Sequence, residues 1–165
     1  MSDYRRAWIP GGCFFFTVVT RNREPWLAGV DAMDRLRRAF REIMRERPFA
    51  IDAIVILPDH LHAIWRLPQG DADFSTRWRL IKHSVSVAPH RKWHWQPRFW
   101  EHVVREEDDW RRHVEYIHYN PVKHGYAPDA MGMAAQQLSP RHEARMAFQR
   151  LGATEPSDLP AETGE

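Results

Sequence analysis

The alternation of apolar and polar positions divides the first 125 residues into seven segments. Residues 13–20 are apolar and β-branched around Phe14, Phe15 and Phe16, which predicts a strand. Asp31 reads as the N-cap of a helix reaching Arg47. Met33, Leu36, Phe40, Ile43 and Met44 form its apolar stripe, and Pro48 follows its end. Residues 51–57 are almost continuously apolar, the pattern of a central strand covered on both faces. Pro58 and Asp59 signal a turn, and residues 60–67 alternate as the returning hairpin strand. Ser75 caps a second helix through Trp78, Ile81 and Val85. Residues 98–104 then read as an edge strand. Asp108 caps a third helix that runs to Asn120, where Pro121 and later Gly125 stop it, and residues 139–151 read as one more helix. The order β-α-β-β-α-β-α predicts an α+β fold with helices packed against a mostly antiparallel sheet. Residues 152–165 hold Pro156, Pro160 and four acidic residues, with no basic or aromatic one. They read as a disordered acidic tail behind a single domain over 1–151.

A chain of 165 residues is long enough to bury a core without covalent or metal staples. Its single cysteine, Cys13, excludes a disulfide framework and a cysteine-based zinc site. Its apolar runs are too short to span a bilayer, and no signal-like segment follows Met1, so the expectation is a cytoplasmic protein without a membrane partner. The net charge of +2 conceals an asymmetry: without the acidic tail, basic residues outnumber acidic ones by six. Of the 24 basic residues only Lys82, Lys92 and Lys123 are lysine, and the rest are arginine. Arginine suits bidentate recognition of phosphates and bases. Five of the eight tryptophans (Trp78, Trp93, Trp95, Trp100 and Trp110) crowd into one stretch among these basic residues. Such interleaving suits stacking on unpaired bases. A tryptophan-rich core under a solvated arginine surface explains the same composition, and on composition alone it is the stronger reading.

The candidate chemistry starts at His60-Leu61-His62. On a strand, residues i and i+2 share a face, so the two imidazoles stand together while Leu61, Ala63 and Trp65 face the core. Such a pair can share a metal ion, or it can simply line a surface. In the third helix Trp110, Val114 and Ile117 fall on the core stripe. Tyr116 and Asn120, four apart, project together from a neighbouring face, with His113 one turn before Tyr116. A tyrosine oxygen attacking a phosphodiester forms a phosphotyrosine and conserves the bond. A cation held by His60, His62 and Asn120 would neutralise the phosphate beside it.

Four blocks carry a resemblance covering about residues 4–126. They are Tyr4-Arg5-Arg6 with Pro10-Gly11-Gly12 and Phe14-Phe15-Phe16-Thr17; Leu57-Pro58-Asp59-His60-Leu61-His62; Trp95-Gln96-Pro97-Arg98-Phe99-Trp100; and Tyr116-Ile117-His118-Tyr119-Asn120-Pro121-Val122-Lys123-His124-Gly125. In this order and spacing they resemble the REP-associated tyrosine transposases, a branch of the single-tyrosine transposases within the His-hydrophobic-His nuclease superfamily. The resemblance implies a ferredoxin-like or RRM-like antiparallel sheet, His60, His62 and Asn120 as ligands of Mg²⁺ or Mn²⁺, and Tyr116 as nucleophile. Tyr119 is the alternative nucleophile. It further implies cleavage and rejoining of single-stranded DNA at REP elements, short hairpins flanked by an unpaired tetranucleotide. The DNA-contact candidates are the arm Arg5, Arg6 and Trp8; Arg77, Arg79 and Lys82 on the second helix; Arg91, Lys92, Trp95 and Arg98; and Lys123 and His124 beyond the tyrosine. The expected partner is REP hairpin DNA, bound by a monomer associated with the nucleoid. A non-cleaving hairpin-binding protein and a dimeric mobile-element transposase are the alternatives.

Overall fold

The computed structural model describes residues 5–88, 91–123 and 125. His124, the expected helix at 139–151 and the acidic tail lie outside these residues. The elements are β1 (Cys13–Val19), α1 (Val30–Glu46), β2 (Ala50–Ile56), β3 (His60–Arg66), α2 (Phe74–Ser86), β4 (Val87–Ala88), β5 (Arg91–Lys92), β6 (Trp100–Val104) and α3 (Glu107–Lys123). Apart from the short β4–β5 hairpin, this is the order the hydrophobic pattern predicts. The four long strands form one antiparallel sheet in the order β2-β3-β1-β6, the arrangement of a ferredoxin-like βαββαβ unit.

Strand alternation divides the core into two layers. Phe14, Phe16, Val18, Leu61, Ala63 and Trp65 face α1 and α2, where Leu36, Phe40, Trp78 and Ile81 meet them. The Trp65 and Trp78 rings stack 4.2 Å apart at the centre of this layer. Phe15, Ala53, Val55 and Ile64 face the other way and pack against Val114 and Ile117 of α3. The predicted stripes of α1 and α3 are therefore the buried ones, with Met33 and Met44 half-buried at the rim of α1.

Five expectations need correction. The 51–57 run is covered on both faces but is an edge strand, not a central one. An apolar run reports what covers its faces and says nothing of its neighbours in the sheet. The edge is blunted by a bulge between Ile51 and Ala53, where Asp52 accepts from Arg66 at 2.6 Å and from the Trp110 indole at 2.9 Å. Helix α2 is capped by Asp73, which accepts from the Thr76 amide at 3.0 Å, and Ser75 already lies inside the helix. Asp31 and Asp108 likewise sit in the first turns of α1 and α3 rather than before them, where their charge still favours the helix N-terminus. Pro121 does not stop α3, which continues to Lys123. Its ring forfeits one backbone bond, and the burial of Ile117, Asn120 and Pro121 holds the turn in place.

Candidate active site

The turn before β3 is fixed from several sides. The Leu57 amide donates to the His60 carbonyl at 2.8 Å, pairing the two residues that flank the Pro58-Asp59 turn. The Asp59 carbonyl accepts from both the amide and the hydroxyl of Thr20, at 2.8 and 2.9 Å. His60 and His62 therefore project from a well-held strand onto the α3 face, with ring centroids 5.0 Å apart. They are not surface residues: α3 covers them, leaving 2% and 1% exposure.

Each imidazole is oriented through Nδ1. His60 Nδ1 lies 2.6 Å from Asp59 Oδ1, and His62 Nδ1 lies 2.8 Å from the Thr17 hydroxyl. Burial alone would raise the Asp59 pKa, but the hydrogen bond and charge of His60, with Arg23, hold it below the ordinary carboxylate value. An ionised carboxylate only accepts, so His60 donates to Asp59 from Nδ1 and its Nε2 points away from that bond. This is the carboxylate–imidazole arrangement that orients metal-ligating histidines.

Helix α3 brings Tyr116 to this pair. The Tyr116 ring lies 5.1 Å from that of His62, and Phe15 packs between them and the rest of the sheet, 5.5 Å from His62 and 6.0 Å from Tyr116. The Lys123 ammonium stands 5.5 Å from the Tyr116 ring centre. Asn120, one turn beyond Tyr116, is fully buried, and among the described residues neither of its amide atoms has a hydrogen-bond partner. Burying an amide unpaired costs about 1–3 kcal/mol, so both amide atoms are open to a partner beyond the described residues. Two imidazoles and an amide oxygen suit a divalent cation. Tyr119 is half-buried on the same helix, and among the described ring contacts Tyr116 is the tyrosine that meets His62.

A second group escaped the sequence reading. His113, which helical spacing placed one turn before Tyr116, is buried and forms a cluster with His102 and Asp109. His102 Nε2 lies 2.9 Å from Asp109 Oδ2, and His113 Nδ1 lies 3.1 Å from Oδ1 and 2.8 Å from the Asp109 carbonyl. The ligand atoms of the three lie within 4.8 Å of one another, so the group can hold a metal ion. Burial lowers the His113 pKa against the pull of Asp109. The Asp109 carboxyl is held low by its two histidines although its own burial opposes this. The i, i+4 spacing of Asp109 and His113 was the available signal; the third member comes from β6.

The DNA-contact candidates separate sharply. Arg77 leaves the set: it is 2% exposed and all its hydrogen bonds go to acceptors of the protein. Trp95 also leaves it, because it is buried edge-on against Trp26 rather than presented to solvent. Lys82 is half-buried, its ammonium donating to the carbonyls of Gln96 and Pro97 at 2.6 and 3.4 Å, and burial brings its pKa down to about 8. It tethers the segment before β6. Arg6 is no free arm either, since it pairs with Glu101 and lies 3.9 Å above the Phe99 ring. The arm is turned onto the sheet by Gly11, which takes a φ of +70°, and by Gly12, where a Cβ would meet the Ile9 carbonyl at 2.8 Å. Arg5, Trp8, Arg79, Arg98 and Lys123 are exposed. Arg91 and Lys92 form β5, the second strand of the short hairpin.

An antiparallel sheet that presents two buried histidines to a helix-borne tyrosine has the layout expected of a single-tyrosine transposase. The chain belongs to the REP-associated tyrosine transposases. It is 53% identical over 126 residues, 76% of each chain, to a REP-associated tyrosine transposase of Escherichia coli K12. A Haemophilus influenzae protein with the same family name is 36% identical over 141 residues, 76% of this chain and 79% of that one. Among solved structures, a REP-associated tyrosine transposase bound to a REP hairpin superposes with a TM-score of 0.82 at 43% identity, covering 100% of this chain and 98% of that one. No protein-family model matches the chain. Among the described residues no helix is long and apolar enough to cross a membrane.

Proposed function

We propose that the protein is a metal-dependent endonuclease and strand transferase acting on single-stranded DNA beside REP hairpins. The observation that carries this reading is the Tyr116 ring against His62, with the unpaired amide of Asn120 one helical turn away. The Tyr116 oxygen attacks the scissile phosphorus, the bond to the 3′ oxygen breaks, and the products are a 5′-phosphotyrosine and a free 3′ hydroxyl. Attack by a 3′ hydroxyl on the phosphotyrosine reverses the exchange and rejoins DNA, with no nucleotide cofactor required. Mg²⁺ or Mn²⁺ bound by His60, His62 and Asn120 would supply charge neutralisation at the phosphate. The chain's own part is orientation: Asp59 and Thr17 aim the imidazoles, α3 holds Tyr116, and Lys123 adds positive charge beside it.

Tyr116 meets His62 of the same chain, a pairing that needs no exchange of helices between subunits. This favours a monomer over a helix-swapped dimer, and light scattering of the active protein is expected to give the monomer mass. DNA chemistry of this kind belongs with the nucleoid in the cytoplasm.

The direct test incubates the protein with single-stranded REP oligonucleotides and Mn²⁺ or Mg²⁺. A tyrosine-linked product is expected, absent after chelation and lost by at least two orders of magnitude in His62→Ala. Persistence of the adduct after chelation would remove the metal from the reading. Binding is expected to weaken steeply with salt, each phosphate contact adding about 0.7 to the slope of log affinity on log salt. Arg79→Gln and Arg98→Gln should each flatten that slope by about one contact. A slope unchanged in both variants would place the backbone contacts elsewhere.

A further inference from the structure

The register of the sheet places one more residue on the line of the candidate site. Val55 pairs with His62, His62 with Thr17, and Thr17 with Trp100, so these four side chains form one row across all four strands on a single face. Helix α3 packs chiefly on β2 and β3 and so covers the His62 end of the row. At the β6 end Trp100 is 40% exposed, the counterpart of a catalytic histidine two strands away, or about 10 Å at ordinary strand spacing. The five clustered tryptophans otherwise go inward: Trp78, Trp93 and Trp95 are buried, and Trp110 is half-buried with its indole held by Asp52.

Trp100 is also held flat. Its ring is parallel to that of His102, at 6° and 5.8–5.9 Å from its two neighbours, His102 and Phe15. His102 in turn stacks on His113 at 4.9 Å and is hydrogen-bonded to Asp109. Phe15 touches both Trp100 and Tyr116, with centroids 5.8 and 6.0 Å away, so a single ring separates the exposed indole from the proposed nucleophile. An indole that is braced from within, partly open to solvent and beside a phosphate-binding centre has the properties of a base-stacking platform.

We propose that Trp100 is a nucleobase subsite, stacking one unpaired base of the single strand next to the phosphate presented to Tyr116. The inference rests on the nuclease reading of that site. Stacking recognises a π-face rather than a hydrogen-bonding edge, so the subsite fixes the position of the strand and tolerates any base. The cluster of His102, Asp109 and His113 then has a second role as the support of the platform.

The test measures binding of the full chain, without added metal, to a REP hairpin oligonucleotide with its flanking unpaired bases. A second set of oligonucleotides carries an abasic site at each flanking position in turn. Trp100→Ala is expected to weaken binding roughly tenfold, and Trp100→Phe to keep most of the affinity. One abasic position should weaken the wild type by a similar factor and have no further effect on Trp100→Ala. Equal affinity of Trp100→Ala and wild type, or additive losses at every abasic position, overturns the proposal. Circular dichroism and the Phe variant separate lost stacking from lost folding. A covalent adduct with an indifferent Trp100 sinks the subsite alone. Stacking without any adduct leaves the subsite standing and sinks the nuclease reading.

Discussion

Tyr116→Phe is expected to bind REP oligonucleotides as the wild type does and to form no covalent product. Only one oxygen is removed, and phenylalanine keeps the ring contacts to His62 and Phe15, so the variant should fold and bind normally. What disappears is the atom that becomes bonded to phosphorus. Nothing else in a transesterification replaces it, and nicking should fall by about 10⁴-fold or more. Tyr119→Phe should stay within a few-fold of wild type, because the Tyr116 ring is the one that meets the metal-ligand candidate His62. Denaturing electrophoresis of protein labelled by a radioactive oligonucleotide reads both variants in one experiment. An adduct that survives in Tyr116→Phe and vanishes in Tyr119→Phe would reverse the assignment. Loss in both variants would mean that the two phenols act together.

The contrast between these tyrosines shows how far pattern reading reaches. Helical spacing groups Tyr116 with Asn120, and strand alternation groups His60 with His62; both relations are local and survive in the fold. That α3 packs on β3 and sets the Tyr116 ring against His62 is a tertiary fact. Local periodicity identifies a face without identifying what covers it, which is why a surface location for the histidines was a fair reading of the sequence. The edge position of β2 was invisible for the same reason. The tryptophans teach a related lesson. Composition counts them alike, yet Trp78 fills the core from α2 while Trp100, on the edge strand β6, is 40% exposed. The His102–Asp109–His113 cluster is half local: Asp109 and His113 are one turn apart, whereas His102 joins them because β6 runs directly into α3.

Arg77 illustrates the opposite error, a basic residue whose charge is spent inside the fold, and replacing it should unfold the protein more readily than any other arginine substitution among the contact candidates. Its Nε donates to the Arg47 carbonyl at 3.1 Å, Nη1 to the Asp73 carbonyl at 2.8 Å, and Nη2 to the Pro48 carbonyl and to Asp71 at 2.9 and 2.6 Å. These acceptors belong to the end of α1, the segment after it and the loop that starts α2, so one guanidinium closes three pieces of backbone. Arg77→Ala leaves three carbonyls without this donor and strands a carboxylate. Removing one partner of a buried ion pair costs about 3–5 kcal/mol, and Asp71, being partly exposed, brings the expectation to the lower end. Lysine is no substitute, because a single ammonium cannot reproduce the planar fork. The pH dependence follows from Asp71, whose pKa is held below the ordinary carboxylate value, chiefly by the Arg77 hydrogen bond. A depressed acid stabilises the fold above its unfolded pKa and loses that contribution as pH falls through its lower folded pKa. The gap between wild type and Arg77→Ala in urea unfolding should therefore be full at pH 7 and narrow below about pH 4. DNA affinity, corrected for the folded fraction, should be unchanged. A variant that kept its stability and lost DNA binding would return Arg77 to the interface.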